Sequence, residues 1–217
     1  MTEASHGSLN YIAPRDLPEK QSCYFYHSID LPEGESIGGA WDIRGRFSQY
    51  IGGCDLRGRT VFDVGTAGGF LSFSSELEGA AAVTALEVPS LFNQTRVPFA
   101  GREYVLNKRE WALKNDSGLE RAKNGFWYCW HKLNSSVRVC YNTLDDLYSV
   151  DERFDVVLAG ALLEHLGDPV SAIGAICRLA RETAIIAFTP VDIHAENAYL
   201  RPLVEWRPEP HASPHFG

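Results

Sequence analysis

The stretch Val61-Phe-Asp-Val-Gly65-Thr-Ala-Gly-Gly69-Phe constrains the fold more than any other part of the chain. Thr60-Val-Phe-Asp-Val64 is a short apolar run that reads as a strand. It stops at Gly65, and helical spacing begins near Gly69. Strand, glycine turn and helix in that order open a βαβ unit. Glycine lets the backbone take φ > 0 and approach a ligand closely. A helix N-terminus adds free N–H groups and positive potential, which suit a carboxylate or phosphate. An ordinary strand–turn–helix that happens to favour glycine has the same outline, so the turn alone leaves its use open.

The unit repeats along the chain. Ala82-Val-Thr-Ala-Leu-Glu87 reads as a second strand, Val137-Arg-Val-Cys-Tyr141 as a third and Ala184-Ile-Ile-Ala-Phe-Thr189 as a fifth. The fourth, Phe154-Asp-Val-Val-Leu-Ala159, is the continuous apolar run of a strand buried on both faces. A helix from Gly68 to Glu78 is expected to bury Phe70, Leu71, Ser74 and Leu77. Another starts at Asp168-Pro169, a good N-cap followed by a residue suited to the first helical position. Its apolar stripe is Ala172, Ile173, Ile176, Leu179 and Ala180. Phe47-Ser-Gln-Tyr-Ile51 reads as a short helix stopped by Gly52-Gly53. The fold class is therefore α/β, a doubly wound, mostly parallel sheet. Ligands of such sheets bind beyond the carboxyl ends of the strands, here just after Val64, Leu86, Tyr141 and Ala159, where Gly160 follows.

Glu87 narrows the ligand. It ends the second strand, 22 residues after Gly65. An acidic residue about 20 residues beyond such a turn accepts hydrogen bonds from ribose hydroxyls, although a strand-end carboxylate is also at home in solvent. Dinucleotides and S-adenosyl-L-methionine both use this geometry. The dinucleotide pattern G-x-G-x-x-G is out of register, because Ala67 and Phe70 stand where glycines belong.

VFDVGTAGGF followed by VTALE resembles motifs I and II of the class I S-adenosylmethionine-dependent methyltransferases, and FDVVLAGALLEHLGDP resembles their segment after the fourth strand. The resemblance spans about residues 55–190. With YHSIDL and Trp41, the layout also resembles a narrower branch akin to enzymes that modify the wobble uridine of tRNA, and to small-molecule relatives. The resemblance implies a Rossmann-like fold and S-adenosyl-L-methionine as cofactor. Gly65, Thr66 and Gly69 would line its methionine part, and Asp63 would hold the turn or reach the amino group. Glu87 would bind the ribose, and Asn142-Thr143-Leu144 would lie against adenine, resting on backbone groups where relatives carry an acidic residue at the Thr143 position. Ala67 replaces the family's frequent middle glycine.

Methyl transfer needs alignment above all, and a general base only for a protonated acceptor. Two histidines compete for that role. His165 follows the fourth strand and is equally readable as a residue that orients a helix start. His27 lies in an aromatic segment expected to fold over the cleft, and otherwise packs there. Glu164 is a partner for either or a solvated carboxylate. Trp111, Trp127, Tyr128 and Trp130, with Trp41 and Tyr26, either build an acceptor pocket or pack an insert onto the sheet, and packing is the stronger reading for most. No His/Asp/Glu cluster has metal-ligand spacing.

Composition bounds the alternatives. Hydrophobic residues make up 45% and charged residues 22%, the balance of a folded domain rather than a disordered chain. The net charge of −8 disfavours bulk nucleic-acid binding. The segment 102–123 carries six basic and four acidic residues, read as a mixed surface. No apolar run approaches the roughly 18 residues of a membrane helix, and the start of the chain has no secretory pattern. Five cysteines without a CxxC pair fit reduced thiols in a cytoplasmic protein. The expected layout is an N-terminal arm and cleft cover over 1–54, beginning with a loose arm of about 20 residues. The cofactor-binding domain follows over 55–192 with an aromatic insert near 100–135, then a proline-rich tail over 193–217. Class I sheets have seven strands and five are readable by Thr189, so a C-terminus truncated or divergent at the final β-hairpin is expected.

The expected function is methyl transfer to a small-molecule acceptor. A tRNA wobble-uridine modifier and a non-catalytic cofactor-binding partner subunit are the alternatives, and self-association stays open.

Overall fold

Two strands form the buried centre of the sheet, and the remaining elements cover them. Val61, Phe62, Asp63 and Val64 have no accessible surface, and Val156, Val157, Leu158 and Ala159 have at most 1%. The computed structural model describes residues 7–93, 99–100 and 103–188. In chain order its strands and helices are β1 (Tyr11–Ile12), β2 (Ile29–Asp30), β3 (Ser36–Ile37), α1 (Phe47–Tyr50), β4 (Thr60–Val64), α2 (Phe70–Leu77) and β5 (Ala82–Glu87). There follow β6 (Phe99–Ala100), β7 (Glu103–Tyr104), α3 (Lys108–Lys132), β8 (Arg138–Tyr141), β9 (Phe154–Gly160), α4 (Pro169–Leu179) and β10 (Ala180–Ala187).

The central sheet has the order β1-β8-β5-β4-β9-β10, with β2–β3 and β6–β7 as separate two-stranded ribbons. β4 pairs parallel with β5 and β9, β5 with β8, and β9 with β10; only β1 runs antiparallel. The five parallel strands, counted along the chain, lie in space as 3-2-1-4-5. This is a doubly wound, Rossmann-like sheet, and the strand order reverses between β4 and β9. Successive side chains of each strand feed opposite faces. Val61, Ala85, Val139, Val156 and Leu158 meet Phe73 of α2 and Phe126 and Trp127 of α3. Phe62, Val64, Leu86, Cys140 and Val157 meet Ile176 and Leu179 of α4. Phe62 and Phe154 stack at 4.6 Å.

Several local expectations change. Helix α2 begins at Phe70, because Gly69 (φ 84°) occupies the left-handed N-cap position. That start turns Phe70, Leu71, Ser72 and Phe73 inward and leaves Leu77 78% exposed. In α4, Asp168 caps as expected, accepting from the Ser171 N–H at 3.0 Å, while Ile173 sits at the solvent edge of the buried stripe. The fifth parallel strand starts at Ala180 rather than Ala184, with an irregularity in pairing before Thr183. The first 20 residues are not simply a loose arm, since Tyr11 and Ile12 close the β8 edge of the sheet. Residues 189–217, and with them the expected end of the chain, lie outside the described residues.

The insert holds the largest difference. Its core is α3, a helix of 25 residues capped by the Asn107 side chain, which accepts from the Glu110 N–H. Trp127 (1% exposed) and Tyr128 (7%) are core residues, so they pack the insert onto the sheet, whereas Trp41 remains 38% exposed. Residues 22–24 lie along α3: the Tyr24 N–H donates to the Arg121 carbonyl at 2.7 Å, and Asn124 donates to the Ser22 carbonyl. The approach is close enough that a Cβ on Gly125 would stand 2.3 Å from the Tyr24 carbonyl oxygen.

Two glycines of α3 therefore predict opposite outcomes. Gly118 has nothing near its missing Cβ, so Gly118→Ala should stabilise by about 0.5–1 kcal/mol. Gly125→Ala would press on backbone and should destabilise by about 1–3 kcal/mol. Urea unfolding of the two variants measures both, and equal effects would refute the packing described.

Candidate functional site

The carboxyl ends of β4, β5 and β8 surround one open cleft. Its polar floor is Gly65 and Glu87, Asn142 and Thr143 close one side, and Asn93 stands at the rim. Val64, Leu86, Val88, Leu144, Leu162 and Leu166 make the walls apolar. Four residues expected to touch a cofactor, Gly65, Glu87, Thr143 and Leu144, thus line one space.

Glu87 is fixed before any ligand arrives. Its Oε2 accepts the Ala67 N–H at 3.1 Å and its Oε1 the Val88 N–H at 2.8 Å. Each carboxylate oxygen has a second lone pair, so two acceptor positions remain. Burial pushes the Glu87 carboxyl up, opposed by those two N–H groups and by the Lys123 charge. The turn is held to β5 as well: the N–H groups of Gly65 and Thr66 donate to the Leu86 carbonyl at 3.0 and 2.9 Å. Ala67 stands in the left-handed region (φ 47°), where the family's frequent glycine would be unstrained.

Asp63 lies wholly buried beneath the turn. Ser72 donates to its Oδ2 at 2.6 Å, and the Ser72 and Thr66 hydroxyls are 2.9 Å apart. Its Oδ1 is buried without a hydrogen-bond partner. Burial raises its pKa to about 6, although the Ser72 and Thr66 hydroxyls act in the opposite direction. Gly69 is enclosed, since a Cβ there would stand 2.4 Å from the Phe73 ring and 2.7 Å from Phe126.

The backbone contact expected for adenine is altered. The Thr143 N–H donates to Asp146 Oδ2 at 2.7 Å, and the Asn142 N–H to the Glu87 carbonyl at 3.2 Å. Those two N–H groups are engaged within the protein, which leaves the Leu144 N–H and the carbonyls of this stretch for the expected backbone contact.

The aromatic segment does cover the turn. A Cβ on Gly68 would be 3.0 Å from the His27 nitrogen and 3.2 Å from His27 Nδ1. The His27 ring packs on Tyr26 at 4.8 Å and on Phe70 at 5.9 Å. Its Nδ1 is buried with no partner, and burial lowers its pKa to about 4. The ring is neutral at pH 7, with a proton affinity well below what a base working near neutrality needs. His165 lies on the 3-10 turn Leu163–His165, between the cleft-wall residues Leu162 and Leu166, and is partly buried. Gly160 faces away from this cleft, among Tyr50, Leu71, Leu158 and Ile185. A Cβ on Gly160 would stand 2.8 Å from the Tyr50 hydroxyl. Burial pushes both Tyr26 and Tyr50 up to about 12. Among the described residues, no group of three His, Cys, Asp or Glu could hold a metal ion.

The sequence reading missed Ser72, Leu162, Asn142 as a lining side chain, and Lys123. Lys123 had been counted within a mixed surface, yet its side chain is 3% exposed.

No protein-family model matches the chain. It is 26% identical over 175 residues to a ubiquinone biosynthesis O-methyltransferase of Neisseria meningitidis serogroup C, covering 76% of this chain and 61% of that protein. It is 28% identical over 148 residues to a protein of the same name from Alkalilimnicola ehrlichii, covering 67% and 46%. The chain therefore spans about half to three fifths of the length of these curated relatives. Among solved structures it is similar to a ribosomal protein L11 methylase of Lactobacillus delbrueckii subsp. bulgaricus, at 19% identity and a TM-score of 0.40, covering 72% of this chain and 64% of that one.

The buried Asp63 carboxyl gives a pH signature. Its value is 3.8 when unperturbed and about 6 in the fold, so the folded state holds a proton that the unfolded chain releases. Its favourable contribution is complete below about pH 4 and is lost as pH rises through about 6, a change of at most about 3 kcal/mol. Urea unfolding from pH 4 to 7 should show the native protein losing stability relative to Asp63→Asn across that window. A constant difference would refute the assignment.

Proposed function

We propose that the chain is an S-adenosyl-L-methionine-dependent methyltransferase acting on a hydroxyl of a small-molecule acceptor. The observation that carries the reading is Glu87, held by two backbone N–H groups at the end of the second parallel strand with two acceptor positions left over. A ribose presents two adjacent hydroxyl donors, and a strand-end carboxylate beyond a glycine turn is the acceptor that suits them. The apolar walls Leu144, Leu162 and Leu166 suit the faces of a base. Asp63 Oδ1, buried without a partner, suits an ammonium.

The cofactor would supply the methyl on a sulfonium, already activated, and the protein would supply alignment. Gly65, Thr66 and Gly69 would carry the amino-acid part along the turn, and His27 would close over it as a neutral ring. His165 would take the acceptor's proton. The hydroxyl acceptor is supported by the two O-methyltransferase relatives. The small-molecule class is supported by the same names and by the net charge of −8. No observation favours the tRNA alternative.

Titration calorimetry with S-adenosylmethionine and with NAD tests the cofactor class, with binding expected only for the first. Glu87→Gln should weaken that binding by about ten- to a hundredfold, the loss of hydrogen bonds to a charged group. Unchanged affinity would sink the reading. With a labelled methyl group and a panel of phenol acceptors, His165→Gln should lower turnover by about 10²–10⁴-fold at unchanged cofactor affinity. Undiminished turnover would remove His165 from the role.

A further inference from the structure

The most heavily buried cation near the cleft is one the mechanism above does not use. Lys123 of α3 is 3% exposed, and its Nζ donates to the Pro89 carbonyl at 2.7 Å and to Glu120 Oε1 at 2.8 Å. The same ammonium stands 4.6 Å from the centre of the Tyr141 ring. Pro89 lies two residues beyond Glu87, and Tyr141 is the residue paired with Glu87 on the adjacent strand β8. The charge is therefore lodged beyond the ends of β5 and β8, beside the carboxylate at the cleft floor. A buried ammonium is expensive to desolvate and persists only with partners. Here the Pro89 carbonyl is one of them, so the helix grips the chain just beyond Glu87.

We propose that Lys123 is a positioning residue for Glu87: its charge favours the carboxylate form and its bond to the Pro89 carbonyl pins the end of β5, so that α3 sets the acceptor strength of the cleft floor. The use of that acceptor for a ribose rests on the function proposed above; the ionisation effect does not. Burial drives Glu87 toward its neutral form, and Lys123 is the cation that opposes it. The other groups facing this region are Asp63 of β4, whose charge raises Glu87, and Tyr141 of β8. Glu120 of α3 pairs with both Lys123 and Arg15, and Arg15 lies 5.4 Å from the Tyr141 ring. A neighbouring opposite charge lowers a carboxyl's pKa, and only ionised Glu87 can accept from two hydroxyls through both oxygens.

The test follows the Glu87 side-chain carboxyl by ¹³C NMR through a pH titration of the unliganded protein, with S-adenosylhomocysteine affinity measured by calorimetry over the same range. Lys123→Gln keeps an amide donor and removes the charge, Lys123→Met removes both, and Lys123→Arg keeps the charge. In whichever neutral variant folds, the Glu87 midpoint should rise by about one pH unit. The acid limb of binding should move with it, a loss of about tenfold at a pH below both midpoints. Lys123→Arg should restore the native midpoint. A midpoint unmoved in the neutral variants, or moved as far by Lys123→Arg, would overturn the proposal. A shifted midpoint with affinity indifferent to both Lys123→Gln and Glu87→Gln would uphold the Lys123 effect and defeat the ribose reading.

Discussion

The contact on which the site depends is the Ala67 N–H to Glu87 bond, 3.1 Å long. It joins the glycine turn after β4 to the end of β5. Without it the turn and the carboxylate are two neighbouring features; with it they are one surface. The parallel pairing brings them together, since Val64 sits in register with Leu86. The Leu86 carbonyl then takes the N–H groups of Gly65 and Thr66. Three backbone donors are thereby spent on holding the floor rigid, which is the condition for a site that need not reorganise when it binds. The strain of Ala67 in the left-handed region is tolerated because these bonds over-determine the turn.

A second constraint comes from outside the parallel sheet. Residues 22–28 run from α3 to the glycine turn, touching Arg121 and Asn124 at one end and Gly68 at the other. Gly125 and Gly68 both permit approaches that a Cβ would block. The insert helix, the aromatic segment and the turn are therefore stacked in one sequence of contacts. Lys123 reaches the same floor from the opposite direction, through Pro89.

The sheet was legible in the residues because its strands are buried on both faces, so burial alone writes them as apolar runs. β4 and β5 have the bounds that their residue pattern implies. Glycine and Asp-Pro punctuation placed the turns for the same local reason. What stayed hidden depends on partners distant in sequence. Helix α3 is polar on balance and carries Gly118 and Gly125, so its periodicity is weak; its buried residues are bought by contacts with residues 22–25, about 100 positions away. Its one local signal was Asn107 with Glu110 three residues on, a helix-start pattern. Lys123 had no local signal at all, because nothing in the charge run distinguishes the lysine that faces Pro89 from those that face water. Leu77 erred the other way: shifting the helix start by two residues rotates its apolar face.

Two of the buried polar atoms without partners, His27 Nδ1 and Asp63 Oδ1, belong to the same neighbourhood, on either side of the glycine turn. A folded chain rarely leaves such atoms unsatisfied, because each costs about 1–3 kcal/mol. Packing does not account for them, since Phe70 and Ser72 already serve the other sides of these groups. Burial leaves His27 neutral, and it lifts Asp63 to about 6, so that of the two only Asp63 changes charge near neutral pH. A ligand carrying both an ammonium and a hydrogen-bonding anion would satisfy each atom and draw Asp63 toward its ionised form. Such a ligand would recover the cost of leaving both atoms unpartnered.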